Sequence, residues 1–316
     1  MIRTLGSLIF YARFVREFSV LGYRRAAEDW PALEADFSGQ TWLVTGATGG
    51  IGRAVALSAN RCGARVLAAA RSDAKLRSLK DEATAARRLI PLRSDLSLMT
   101  DGDRMSRERA VVQKPIDVLV NNVGVLLNEH SITSEGLETS FATNLLGPYR
   151  LTESLRDGGA FADDALVINV SSGGMYGTPL RLEPMAGRDP KRFDGMAAYA
   201  MHKRAMVVLT RYWNDQWLGQ PAVQVMHPGW VDTAGVQSSL PLFRRVLGKW
   251  LRDADQGADT VLWLAAERPA LPSDGGIWLD RALKPEHEFA FTRKSDHDAE
   301  ELAAFLARMT RSAVPD

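Results

Sequence analysis

Tyr199 and Lys203 stand four residues apart at the head of an apolar run, AAYAMHKRAMVVLT, at 197–210. On a helix that spacing places a phenol and an ammonium on one face, one turn apart. A free phenol titrates at about pH 10, so at neutral pH it is a poor base unless its ionised form is favoured. A neighbouring positive charge favours it, and the pair can then move a proton to or from a substrate oxygen. Alone, such a pair is common on solvated helices. Here Ser171 and Ser172 close the preceding apolar stretch ALVINVSS and bring a hydroxyl toward the same end of the chain's architecture.

A second chemical signal lies upstream. LVTGATGGIGRAVALSA sets Gly46, Gly50 and Gly52, with Thr48 and Ile51 between them, at the junction of a buried strand and an amphipathic helix. Glycines there allow a tight turn, a close backbone approach to a pyrophosphate and close helix packing, while the helix start offers unpaired N–H groups to an anion. Gly46, Gly49 and Gly52 also satisfy a G-x-x-G-x-x-G spacing, so spacing alone does not choose between related dinucleotide-binding groups. The following strand, GARVLAAARS, carries Ala70 where a carboxylate would take a free ribose 2′-hydroxyl, and Arg71 comes next. A guanidinium without a competing carboxylate suits a 2′-phosphate, which points to NADP(H) over NAD(H). The other reading of Arg71 is an exposed cation paired with a nearby acid.

These groups need a scaffold. From residue 40 onward, short apolar runs (TWLVTG, ARVLAAA, RLIPL, IDVLVNN, ALVINVSS, AVQVMHP, GIWLD) alternate with helical segments. That rhythm predicts an α/β fold with a doubly wound, Rossmann-type parallel sheet of seven strands, as one domain over 38–316 behind an N-terminal helical extension over 1–37. Residues 173–196 and 234–250 break the rhythm after strand ends, where ligands bind in open parallel sheets.

Composition narrows the partners. Thirty-nine basic and thirty-eight acidic residues leave a formal charge of +1, so no global field attracts nucleic acid. The single cysteine, Cys62, reads as buried filler, excludes an intramolecular disulfide and fits a reducing, cytoplasmic setting. No run is apolar enough to span a bilayer. Residues 1–27 nevertheless hold five Arg against one Glu, and Leu8, Phe10, Tyr11, Phe14, Val15, Phe18 and Leu21 fall on one arc of a helix. Two readings stand: a peripheral membrane contact, or packing on the body of the protein or on a second subunit.

Seven motifs in order now resemble the short-chain dehydrogenase/reductase family: TGATGGIG, SDL at 94–96, NNVG at 121–124, Asn144 in FATNLLGPY, NVSS at 169–172, YAMHK at 199–203 and HPGWVDT at 227–233. NNVG replaces the family's usual NNAG. SSGGMY, FDG, MHPGW, QGADT and REFSVLGY narrow the resemblance to an orphan branch of undefined substrate. The resemblance implies Tyr199 as proton donor in carbonyl reduction and acceptor in the reverse, and Lys203 as the group that lowers its pKa and holds the nicotinamide ribose. Ser172 would bond the substrate oxygen, with Ser171 one position away as the alternative. Asn144 would bend its helix and hold a water leading from Lys203. Asp95 and Leu96 would meet the adenine, Asn121 and Gly124 the adenosine side, and Pro228, Gly229, Val231 and Thr233 the nicotinamide. Asp232, His202 and His227 read as structural. Homo-oligomers built on the tyrosine-bearing helix are common in the family.

The 27 residues from Ser172 to Tyr199 are a wide interval for that family. The added loop brings Met175, Tyr176, Phe193 and Met196, with Trp230, toward the site, which predicts an apolar pocket for a lipophilic ketone, aldehyde or secondary alcohol. The competing reading packs these side chains on one another. The overall expectation is an NADP(H)-dependent oxidoreductase acting on a small molecule; the alternative is a cofactor-binding scaffold or redox sensor with weak turnover.

Overall fold

The apolar runs become strands β1 (Thr41–Thr45), β2 (Arg65–Ala70), β3 (Leu89–Arg93), β4 (Ile116–Asn121), β5 (Phe161–Val170), β6 (Ala222–Met226), β7 (Ile277–Leu279) and β8 (Ala282–Lys284). The computed structural model describes residues 14–295 and 297–313. All eight strands form one sheet in the order β3-β2-β1-β4-β5-β6-β7-β8. Strands such as TWLVT are buried along their whole length, because both faces of a parallel sheet are covered.

The covering helices are α1 (Val20–Ala27), α2 (Gly50–Arg61), α3 (Asp73–Glu82), α4 (Met99–Ser106), α5 (Gly147–Asp157), α6 (Gly195–Trp217), α7 (Ala234–Ser239), α8 (Pro241–Leu247), α9 (Ala254–Glu267) and α10 (Ala299–Ala313). Small residues of α2 and α9, with Leu76 and Leu79 of α3, form the core on one face. Leu151 and Leu155 of α5, Leu209 and Trp213 of α6, and Phe305 of α10 form it on the other. The chain order reverses between β1 and β4, and a cavity of about 620 Å³ opens outside their carboxyl ends. This is the switch point at which doubly wound sheets bind ligands.

Seven strands are parallel neighbours, as the sequence predicts; the eighth is an addition. β8 returns antiparallel to β7 through Asp280 and Arg281, both with positive φ, 53° and 56°. Two left-handed residues are what a two-residue hairpin of this kind requires, and Asn-Gly is the usual signal. Here ion pairs hold the strained turn instead: Arg281 clamps Asp259 at 2.7 and 2.9 Å, and Arg252 clamps Asp280.

The N-terminal extension departs from the expected continuous helix. Ser19 is extended and caps α1 by accepting from the Leu21 amide, so the helix breaks there and Leu21 turns outward, 46% exposed. Phe14 and Phe18 are each 1% exposed and stack on each other at 4.4 Å. They join Met175, Tyr176, Val225 and Ile277 in a third apolar cluster. Within the described residues, this aromatic face is therefore spent on the protein body. Leu8, Phe10 and Tyr11 lie outside them. No described helix is long and apolar enough to cross a membrane.

Arg252, 1% exposed, locks this extension in place. Its guanidinium donates to the carbonyls of Glu17 (2.7 Å), Phe18 (3.0 Å) and Pro228 (3.2 Å) and to both carboxylate oxygens of Asp280. Arg252→Ala should lower the unfolding free energy in a denaturant titration by about 3–5 kcal/mol, because it leaves Asp280 buried and unpaired. Arg252→Lys should recover little, since one ammonium cannot serve the fork.

Candidate active site

The glycine turn forms one wall of the cavity. Gly46 and Gly50 adopt φ of 66° and 47°, which other residues enter only at a cost. A Cβ at Gly52 would overlap the Gly46 carbonyl and the Asn122 amide, so its lack of side chain lets α2 start close under the turn. α2 begins at Gly49 without any side-chain cap, which leaves its first N–H groups turned toward the cavity. A bare helix start over an open glycine backbone fits the pyrophosphate of a dinucleotide. Thr48, Ile51, Arg71, Asp95 and Leu96 continue the lining. The Arg71 side chain is 67% exposed and lies 3.9 Å from the Asp95 carboxylate.

Across the cavity, Ser171 and Ser172 follow the end of β5, and the structure separates their duties. Ser171 is buried and donates to the Lys203 carbonyl at 2.8 Å, which fastens β5 to α6. Ser172 hydrogen-bonds the Tyr199 side chain and so is the hydroxyl next to the phenol. Tyr199 and Lys203 share the inner face of α6 as their spacing predicts, with the ammonium 5.7 Å from the phenol ring centre. Lys203 Nζ donates to the Val170 carbonyl at 2.8 Å. Burial pulls the lysine down to about 8. Burial also raises the Tyr199 phenol above its ordinary value, against the opposing hydrogen bond with Ser172. This direction is opposite to the lowering expected from Lys203, and the phenol, like any phenol at neutral pH, is protonated and able to donate.

Asn144 sits in a π-helical turn, Ala142–Leu146, that leads into α5. Its amide bonds both polar groups of Val125, accepting from N at 2.7 Å and donating to O at 2.8 Å. It therefore shapes the cavity wall from behind, and its helix is locally rewound rather than simply bent. Gly124 completes this corner, since a Cβ there would come within 3.3 Å of Lys203 Nζ. Pro228, Gly229, Trp230, Val231 and Thr233 line the floor, with Thr233 capping α7 through Val236 N at 3.3 Å.

Several expectations need correction. Asn121 does not reach the cavity: it is 1% exposed and donates to Thr152 (3.0 Å) and Asn169 (2.9 Å). Strand alternation turns Asn121 into the core and leaves Asn122, whose amide donates to the Thr45 carbonyl, in the lining. Met175 and Tyr176 are buried beneath Phe14 and Phe18, and the Tyr176 hydroxyl donates to Pro285 O, so the N-terminal segment takes them from the substrate space. Phe193 packs edge-on against His130 outside the lining. Of the expected apolar group, Met196 and Trp230 do face the cavity. Leu240 and Phe243, on the flap of α7 and α8, join them. The sequence placed this flap at the ligand end but gave no signal for which residues turn inward. Cys62 is half-buried at the end of α2 rather than fully buried. Among the described residues no cluster of three or more His, Cys, Asp or Glu could hold a metal.

His202 and His227 are both fully buried and structural in their contacts. His202 joins Asn144 (3.3 Å) to the Met185 carbonyl (2.8 Å), and His227 lies edge-on to Phe18 and Tyr176. Burial depresses them from 6.5 to about 4 and about 3. Below pH 6.5 the unfolded chain binds protons that the native state refuses, so their stabilisation is complete above 6.5 and is lost as pH falls toward these values. Unfolding free energy should therefore fall on acidification, each histidine contributing up to about 1.4 kcal/mol per pH unit. Denaturant midpoints from pH 7 to 4 on the wild type and His202→Gln should show a shallower slope in the variant.

Comparison with known proteins agrees with this geometry. The short chain dehydrogenase family model matches residues 40–241. The chain is 36% identical over 315 residues to dehydrogenase/reductase SDR family member 12 of Bos taurus, covering 96% of this chain and 98% of that protein. It is 30% identical over 252 residues to polyprenol dehydrogenase of Homo sapiens, covering 75% of each. Its fold superposes on the angucycline C-6 ketoreductase LanV, solved with bound NADP, with a TM-score of 0.57 and 25% identity over 74% of this chain and 91% of that one. The chain belongs to the short-chain dehydrogenase/reductase family, as an oxidoreductase on a Rossmann-type sheet.

Proposed function

We propose that this protein uses NADP(H) to interconvert a carbonyl and an alcohol on a lipophilic small molecule. The observation that carries the reading is the convergence, on one cavity, of an uncapped glycine turn with Ser172, Tyr199 and Lys203. The reduced cofactor, when bound, supplies the hydride. Tyr199, protonated at neutral pH and hydrogen-bonded to Ser172, gives its proton to the substrate oxygen, which Ser172 also hydrogen-bonds. The phenolate left behind faces the Lys203 ammonium, whose charge offsets it in a site of low dielectric. Lys203 is itself oriented by the Val170 carbonyl.

Two features favour NADP(H). β2 ends at Ala70 with no carboxylate, and the contact between Arg71 and Asp95 is long and exposed, so it is worth little and leaves the guanidinium available to a 2′-phosphate. LanV, similar in fold, was solved with NADP bound. The lipophilic substrate is supported by Met196, Trp230, Leu240 and Phe243 in the lining and by the similarity to polyprenol dehydrogenase.

Tyr199→Phe should keep NADPH binding, followed by tryptophan quenching, and lower kcat for carbonyl reduction by about 10²–10⁴-fold. Unchanged turnover would remove Tyr199 from the chemistry; loss of turnover with the biological effect intact would favour the scaffold or sensor. Arg71→Asp should weaken NADPH by about tenfold or more and leave NADH nearly unaffected. Equal affinities before and after would make Arg71 a surface charge.

A further inference from the structure

The flap over the cavity has a second face. Residues 233–251 carry Arg244, Arg245 and Lys249 and no acidic residue. On the inner side, Leu240 and Phe243 line the cavity, and Phe243 meets Trp230 edge-on at 5.4 Å. On the outer side, Leu242 and Val246 lie one helical turn apart and are 69% and 67% exposed, and Trp250, in the turn that follows α8, is 41% exposed. Arg245 and Lys249, also four apart, run beside this ridge and take part in no ion pair among the described residues. Other exposed apolar side chains, such as Val112, Ile132 and Leu218, belong to separate elements and form no such ridge.

The flap is lightly held. Arg244 pairs with Asp232 at 2.9 Å, Ser239 donates to the Leu126 carbonyl at 2.6 Å, and Asn128 donates to the Ser239 carbonyl at 3.1 Å.

We propose that the outer face of this flap docks on an anionic phospholipid surface, and that lipophilic substrate passes from the bilayer under the flap into the cavity. An apolar ridge flanked by cations without acids is the pattern of an interfacial element: the ridge enters the acyl boundary and the cations meet phosphate and carboxylate headgroups. A second copy of the chain fits the ridge poorly, because a two-fold contact sets Arg245 and Lys249 against their own equivalents. The N-terminal aromatic face, the other membrane candidate in the sequence, is occupied by the protein body at Phe14 and Phe18. The flap instead joins an exposed ridge to the mouth of the site. The entry route rests on the proposed lipophilic substrate; the docking itself does not.

The test uses the full chain and sedimentation with phosphatidylcholine vesicles, with and without phosphatidylserine. The wild type should bind the phosphatidylserine vesicles, less so at high ionic strength. Leu242→Asp with Val246→Asp should reduce the affinity about tenfold or more. Arg245→Glu with Lys249→Glu should abolish the preference for phosphatidylserine. Leu218→Asp, at a site 89% exposed on another surface, should change nothing. NADPH titration of each variant reports folding and the oxidoreductase reading separately, so loss of cofactor binding in the wild type would sink that reading and leave the docking result standing. Docking is overturned if the wild type binds no vesicles or if both double variants bind as well as it does. It is equally overturned if the ridge variants turn a dimer into a monomer on ultracentrifugation without changing vesicle binding.

Discussion

The interaction on which the ligand side of the molecule depends is the buried guanidinium of Arg252. Removing such a group from water costs several kcal/mol, and only a full set of acceptors offsets the loss. Here the set is complete: carbonyls of Glu17, Phe18 and Pro228, and both oxygens of Asp280. Those partners come from three separate places in the chain. One is the N-terminal segment, one is the loop beneath the expected nicotinamide site, and one is the strained β7–β8 turn. Gly229, at φ 73°, fits into this knot, since a Cβ there would strike the guanidinium within 2.5 Å. The Trp230 amide then donates to the Phe18 carbonyl at 2.8 Å, which sets the indole at the cavity. The extension is thus part of the wall of the site, joined to it by backbone hydrogen bonds as well as by aromatic packing.

The parts legible in the sequence are those whose physics is local. The glycine turn needs only φ and close approach, and the Tyr199–Lys203 pair needs only helical periodicity, so both emerge where the residues say. The parallel sheet follows from continuous apolar runs. What the sequence does not carry is which of two neighbours faces inward. Asn121 and Asn122 differ by one step of strand alternation, and the buried Asn121–Asn169–Thr210 hydrogen bonds decide the matter. Ser171 and Ser172 are separated in the same way, by a carbonyl at Lys203 that no linear spacing reveals. Met175 and Tyr176 look available to a ligand only until Phe14 and Phe18 arrive from far upstream. β8 escapes because its turn is made by ion pairs rather than by glycine.

The polar core behind the cavity shows why the geometry can be held so tightly. The amides of Asn121 and Asn169 link β4 and β5 to Thr152 on α5 and Thr210 on α6. Asn144 and His202 tie the π-helical turn to α6. Each of these groups is buried, so each unmade hydrogen bond would cost a desolvation penalty with no return. A displacement of α6 breaks several at once. That rigidity is what keeps a lysine at low exposure beside a phenol, two groups whose burial would otherwise favour looser, wetter arrangements.

The opposite side of the cavity is built on another principle. α7 and α8 rest on a few polar contacts and on Phe243 against Trp230, and they bury no side chain of their own. Segments with so little buried area open at low free energy. The molecule therefore pairs a fixed wall, where atoms must meet within fractions of an ångström, with a covering that yields. Proton transfer tolerates little error in placement, whereas the proposed entry of a bulky apolar molecule would require a wall that moves. The division falls at Asp232–Thr233, where the Arg252-bound loop ends and the acid-free flap begins, so one short stretch of chain joins the two requirements.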